Sequence, residues 1–231
     1  MKQEAVTNFI ELHTVLRSKY RRSYTWLFRG QTNAQWVLVP KAGRQQFQNS
    51  NDLNVFAAWC RRAVGFIELP DNEWNRLAIA EHHGLQTRLL DWTTNPLVAA
   101  YFAVSGTSDC DSCIYCLDSS QIEVINPETD RVGHVNKVAQ FKPSAFVGRI
   151  IGQWGRFTYH PNRMTPLDDV TSQVKVEKII IPVKHREEIL FDLNFYGFNE
   201  ATLFPDIEGM SRHLNWWHSN ENWKKEFTLS Q

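Results

Sequence analysis

The chain lacks several features that would settle its chemistry at once. It has no excess of charge: 25 Lys and Arg stand against 25 Asp and Glu, a formal net charge of zero. Bulk electrostatics therefore supplies no general pull toward nucleic acid or an anionic membrane. It has no long apolar run, since stretches such as 96–104 are far too short to cross a bilayer. No apolar h-region follows Met1-Lys2-Gln3-Glu4, which predicts no signal peptide. The sequences GxxxxGK[ST], GxGxxG, HExxH and GxSxG are absent, which removes the common phosphate-loop, dinucleotide-fold, zinc-protease and serine-hydrolase readings. No Pro-, Gly- or Ser-rich linker cuts the 231 residues, so one domain over 1–231 is expected. Together these absences predict a cytoplasmic protein with reduced thiols and no membrane partner.

Cysteine is scarce as well. Cys110, Cys113 and Cys116 have a spacing that invites thiolate ligation, but the usual second CxxC or HxxxH pair is missing. Cys113 to Leu117 also reads as a strand, in which residues three apart point to opposite faces. Free buried thiols and no metal are expected. Tryptophan, by contrast, is plentiful: the 9 Trp fill a core, line a pocket or support an interface.

Apolar residues at three- and four-residue steps predict a peripheral N-terminal helix over 4–20. Further helices follow after Asn51 or Asp52 and after Asp71, the latter carrying Trp74, Leu77, Ala78 and Glu81 and ending at Gly84. Asn95-Pro96 opens a helix that is apolar all round, and therefore buried. Strands are read at 24–31, around Leu89-Leu90, at 112–117, after Gly155, and at 174–183. Residues 36–40 read as a short extended piece and 128–145 as a polar loop. Helices follow from His185 and from Phe204-Pro205-Asp206, and 218–231 is a peripheral polar tail. With no βαβ alternation, the fold expected is α+β: a helix-rich N-terminal half around a small, mostly antiparallel sheet.

Polar residues at strand ends and turns mark the candidate site: Arg29, His82, Arg88, Asp91, Thr93 and Gln153. Arg29, behind Trp26-Leu27-Phe28 and before Gly30, is either paired with a core carboxylate such as Asp91 or an anion clamp, because its planar fork matches phosphate. Adjacent His82 and His83 cannot face the same way. One faces solvent, and the other is a general base, a donor to substrate, or a satisfied core histidine.

These residues resemble a family. Phe28-Arg29-Gly30, His82-x-Gly84-x-x-Thr87-Arg88-Leu89-Leu90-Asp91-Trp92-Thr93, Gln153-x-Gly155-x-Phe157 and Leu203-Phe204-Pro205-Asp206 look like the ordered signature of the FRG domain, named for its Phe/Tyr-Arg-Gly tripeptide and common in bacteria and their phages. The likeness spans about 24–215. A looser resemblance is to ADP-ribosyltransferases, with Arg29 on a first core strand and Asp91-Trp92-Thr93 running into Ala99-Ala100-Tyr101-Phe102-Ala103. Gln153 or Glu200 stands in the late position, where that pattern has a Glu or Gln on a strand. No Glu sits in the Gln153 block, and Glu200 precedes a helix, which leaves the catalytic carboxylate unassigned.

The resemblance implies an ADP-ribosyltransferase-like fold and an NAD-dependent ADP-ribosyltransferase, a toxin or phage-defence effector acting on a protein or nucleic-acid acceptor. Arg29, His82, Asp91, Gln153 and Glu200 would be its catalytic set. Arg29, Gly30, Arg88, Trp92, Thr93 and Phe157 would hold NAD. The alternative is a non-catalytic module that binds a nucleotide or nucleic acid in the same cleft.

Overall fold

In a computed structural model, the structure describes residues 2–144, 153–170 and 174–219. The sheet has seven strands in the order β1 (Lys2–Ala5), β7 (Lys175–Ile181), β4 (Ser112–Asp118), β2 (Trp26–Gln31), β3 (Leu89–Thr93), β6 (Gly155–Tyr159), β5 (Ala139–Phe141). Every neighbouring pair is antiparallel except β1 with β7. The α+β class, the mostly antiparallel sheet and the helix-rich N-terminal half are as the sequence predicts. The sheet is larger than expected, because two short edge strands escape the pattern.

One of them corrects the reading of 4–20 as a single peripheral helix. Lys2–Ala5 pairs along β7, and helix α1 starts only at Phe9, where Asn8 accepts from the amide of Glu11. Leu12 and Leu16 of α1 are buried in the main core, so this segment is structural. The other is β5, inside the expected polar loop. Residues 36–40 form no strand. Of the predicted tail, helix α8 (Ile207–Ser219) occupies the first part, and 220–231 lie outside the described residues.

Helix α4 (Pro96–Val104) starts as its sequence dictates, with Asn95 accepting from the Leu97 amide. It lies directly on β2: a Cβ on Gly30 would fall 2.0 Å from the Ala99 carbonyl oxygen. Gly30 is thus fixed by close helix–strand approach, and its backbone also lines the cleft between β2 and β3. Helices α1, α4 and α6 (Arg186–Phe195) cover one face of the sheet, where Phe28, Val98 and Ile189 meet. Leu27, Trp92 and Tyr115 pack on the opposite face beneath Leu38 and beneath Leu167 of the short helix α5 (Leu167–Val170). Helices α2 (Asp52–Ala63) and α3 (Glu73–His82) close the β3–β6–β5 end over Trp74, Phe141 and Tyr159. Cys113 and Cys116 are buried in different clusters, as strand alternation requires.

A buried polar chain crosses this core. The indole N–H of Trp92 donates to Thr158 Oγ1 at 2.9 Å, and Thr158 Oγ1 lies 2.9 Å from His160 Nε2. An indole only donates, so the Thr158 hydroxyl accepts from it and shares a second hydrogen bond with His160 Nε2, while His160 Nδ1 is buried without a hydrogen-bond partner. His160 has no exposed surface, and burial first, with the charge of Arg29 second, lowers its pKa to about 4. Between pH 6.5 and 4 the unfolded chain takes up a proton that the folded one refuses. Stability from this group is therefore complete above 6.5 and lost as pH falls, by about 3 kcal/mol in all. Urea unfolding at pH 7 and 4.5 should show that drop, and His160→Gln should diminish it.

Candidate functional site

The site arises where the sheet splits. β3 is in register with β6 along its whole length, from Leu89 opposite Tyr159 to Thr93 opposite Gly155. Against β2 it pairs only at Phe28 and Thr93. Beyond that pair, Arg29–Gln31 and Leu89–Trp92 diverge, and a cleft of about 380 Å³ opens between them. Arg29 Nη1 donates to the Asp91 carbonyl oxygen at 2.8 Å and lies 3.4 Å from Asp91 Oδ2, bridging the strands where the ladder stops.

The expected Arg29–Asp91 pair is present, yet it is no closed core pair. The Asp91 side chain is 53% exposed to the cleft. Arg29 Nε is buried and has no hydrogen-bond partner, and the same holds for Gln31 Oε1. Buried donors and acceptors are nearly always satisfied, so two orphans in one cleft wall point to a missing ligand. Arg44 reaches the same space from the loop before α2. Partial desolvation, and then the like charge of Arg29, lower its pKa. Two guanidiniums that share one cleft wall and repel one another would both gain from an anion.

Glu81 is the residue that sequence reasoning missed. It sits in the last turn of α3, before Gly84 (φ 84°) ends the helix, and it accepts from the Thr87 hydroxyl. Burial first and the negative charge of Asp91 second push its pKa up to about 8, against the opposing pull of the Thr87 hydrogen bond, Arg29 and Lys41. The signal was available: Glu81 follows Trp74, Leu77 and Ala78 on the apolar stripe of its helix. A carboxylate at such a position is either paired or poised for proton transfer. His82, next to it, also lines the cleft, while His83 is exposed, as the opposed directions of neighbouring helix residues require.

Other candidates are placed differently. Thr93 lines the cleft but is occupied, its hydroxyl donating to the Gln153 carbonyl at 2.7 Å and accepting from the Asn95 amide at 3.0 Å. Gln153 lines the cleft too, with its side-chain amide donating to the Leu203 carbonyl at 3.2 Å. Arg88 is corrected outright. Its Nε and Nη2 donate to Asp52 at 2.6 and 3.1 Å and its Nη1 to the Pro161 carbonyl, so it braces the fold away from the cleft. Glu200 is corrected as well, because it opens the short helix α7 (Glu200–Leu203), pairs with Arg212 and lines a separate hollow beside Tyr101. Trp92 and Phe157 contact the cleft, but both rings are core residues and neither offers an open stacking face. The aromatic exposed at the mouth is Trp36.

Among the described residues no cluster of three His, Cys, Asp or Glu is arranged to hold a metal, and no helix is long and apolar enough to cross a membrane. No curated protein and no solved structure matches the chain, ADP-ribosyltransferases included. Residues 24–112, which hold β2, α2, α3, β3 and α4 and so every polar wall of the cleft except the side of Gln153 and Arg156, match the family model described as FRG domain.

Proposed function

We propose that the cleft binds a dinucleotide and that the protein is an NAD-dependent ADP-ribosyltransferase-like enzyme. The observation that carries this reading is the orphaned Arg29 Nε beside two carboxyl groups of unequal character, Glu81 and Asp91. A pyrophosphate oxygen would satisfy Nε and draw Arg44 to the same charge. Trp36 gives a flat apolar surface at the mouth for a base.

NAD, once bound, supplies a ribosyl–nicotinamide bond whose cleavage leaves positive charge on the ribosyl carbon and releases neutral nicotinamide. Asp91, whose side chain is exposed to the cleft, is the group that offsets that charge. Glu81, titrating near neutrality, takes the proton of the attacking hydroxyl or amine. On this reading Glu81 of α3 takes the role of the carboxylate left unassigned by the sequence, and the late strand is not needed for it. Transfer to a protein or nucleic-acid acceptor would suit a bacterial toxin or phage-defence effector.

The test is incubation of the full chain with NAD labelled in the adenylate and, separately, in the nicotinamide ring, with and without cell lysate. Nicotinamide release and label transfer are expected. Arg29→Ala should weaken NAD binding by about 10- to 100-fold, the worth of a charge-assisted fork. Folded protein that binds NAD and never releases nicotinamide would overturn the enzyme reading in favour of a nucleotide-binding module.

A further inference from the structure

A second and larger hollow, about 980 Å³, lies between the C-terminal part of α1, the start of β2, the turn into α4 and the 119–124 connection. It is lined by Arg17, Arg21, Lys142 and Arg156, and no carboxylate is among its lining residues. In a chain whose charges balance at 25 of each sign, such segregation is local and marked. None of these four cations forms an ion pair with a described carboxylate, since the described acidic groups nearby are already engaged. Glu177 holds the Tyr20 hydroxyl at 2.8 Å and Lys175 at 3.2 Å.

The same hollow presents two large rings to solvent. Tyr24 is fully exposed, at 104% of its reference area, and Trp154 is 59% exposed. Trp154 is moreover the one non-glycine among the described residues at positive φ, 54°, its carbonyl accepting from the Thr94 amide at 3.2 Å. Neither ring contributes to a core cluster, so neither is explained by folding.

We infer that this groove binds single-stranded nucleic acid, with the four cations tracking phosphates and Tyr24 and Trp154 stacking on unpaired bases. Spaced positive charge interleaved with exposed rings is the chemistry of a flexible strand, whose bases have free faces. A duplex hides those faces, and a bilayer surface meets a convex apolar face more readily than a concave one. The inference is independent of the NAD reading, although Phe28 and Arg156 line both hollows and make them adjacent.

Fluorescence anisotropy of the full chain tests it, with labelled 12-residue oligo-U, oligo-dT and a duplex of equal length as probes, and with heparin and phosphatidylserine vesicles as rival polyanions. Both single strands are expected to bind at low salt at least tenfold more tightly than the duplex, and the difference between them reports whether RNA or DNA is preferred. Affinity should fall with salt at a log–log slope of about −3, as about four phosphate contacts imply. Arg17→Glu with Lys142→Glu should abolish binding, and Tyr24→Ala should weaken it about tenfold. Unchanged melting temperatures would show that these exposed substitutions leave the fold intact, and Arg29→Ala should leave oligonucleotide affinity as it was. Equal binding of duplex, heparin or vesicles with no effect of Tyr24→Ala would reduce the groove to a generic anion patch. Absence of binding by well-folded protein would refute it.

Discussion

Glu81→Gln is expected to reduce nicotinamide release by about 10²- to 10⁴-fold, the usual worth of a general base, while making the protein more stable at neutral pH. Both effects come from one displaced equilibrium. With a pKa pushed up to about 8, the folded protein holds a proton on Glu81 that the unfolded chain has already released above pH 4.5. The stability attached to this carboxyl is therefore fully present below 4.5 and is lost as pH climbs through 8. Near pH 7 the loss is of order 1–3 kcal/mol. Gln keeps the shape and can still accept from Thr87, but it has no proton to lose and no charge to bury. Thermal melts at pH 5 and 7.5 should place the variant near wild type at the first and above it at the second. In turnover, kcat/KM of the wild type should rise with pH through about 8, and the variant's residual rate should be flat across that range. A variant with lower stability and unchanged turnover would remove Glu81 from the mechanism. This is the trade expected when a site is kept functional at the expense of the fold.

The tension at Glu81 also explains why the sequence disclosed some of this molecule and not the rest. Features governed by the nearest neighbours in the chain were legible. Gly84 does adopt a left-handed conformation at the end of α3, with φ of 84°. Asn95-Pro96 does open α4, and α4 is buried because no side of it is polar. The central strands β2, β3, β4 and β7 follow their apolar runs. Edge strands were not legible, since β1 is paired on one side alone and its Lys2-Gln3-Glu4 carries no apolar alternation. Site residues divide in the same way. Arg29 stood out because an arginine behind three large apolar residues needs an explanation. Arg88 looked equivalent, yet its partner Asp52 lies 36 positions away, and nothing local tells which of two strand-end arginines is already engaged. Glu81 was visible as a charge on an apolar stripe, but its meaning depends on Asp91, Arg29 and Thr87 arriving around it in three dimensions.

Asp52→Asn is expected to be the most damaging single polar substitution for stability, at about 3–5 kcal/mol. Asp52 is the first residue of α2 and is 3% exposed. Its two oxygens accept from Arg88 Nε at 2.6 Å, Arg88 Nη2 at 3.1 Å and Arg163 Nη1 at 3.0 Å. The guanidiniums carry the restraint further: Arg88 Nη1 donates to the Pro161 carbonyl, and Arg163 Nη2 donates to the carbonyls of Gln48 and Ser50. One carboxylate thus ties α2, the entry to β3 and the 161–163 turn into a single unit. An amide in its place presents one oxygen and an NH2 group with two donor hydrogens, so at least one guanidinium faces a donor and two positive charges remain in a partly dry space. Fold-stabilising attraction becomes repulsion without any change in volume. The melting temperature should fall by roughly 10 °C for a chain of this length. Changing Arg88→Met in the same molecule should cost less than the two single losses added together, because it removes a charge that the first substitution has orphaned. Dinucleotide affinity, measured below the melting range, should survive in both variants, since Arg88 and Asp52 stand outside the cleft. Loss of affinity with the fold retained would instead return Arg88 to the ligand.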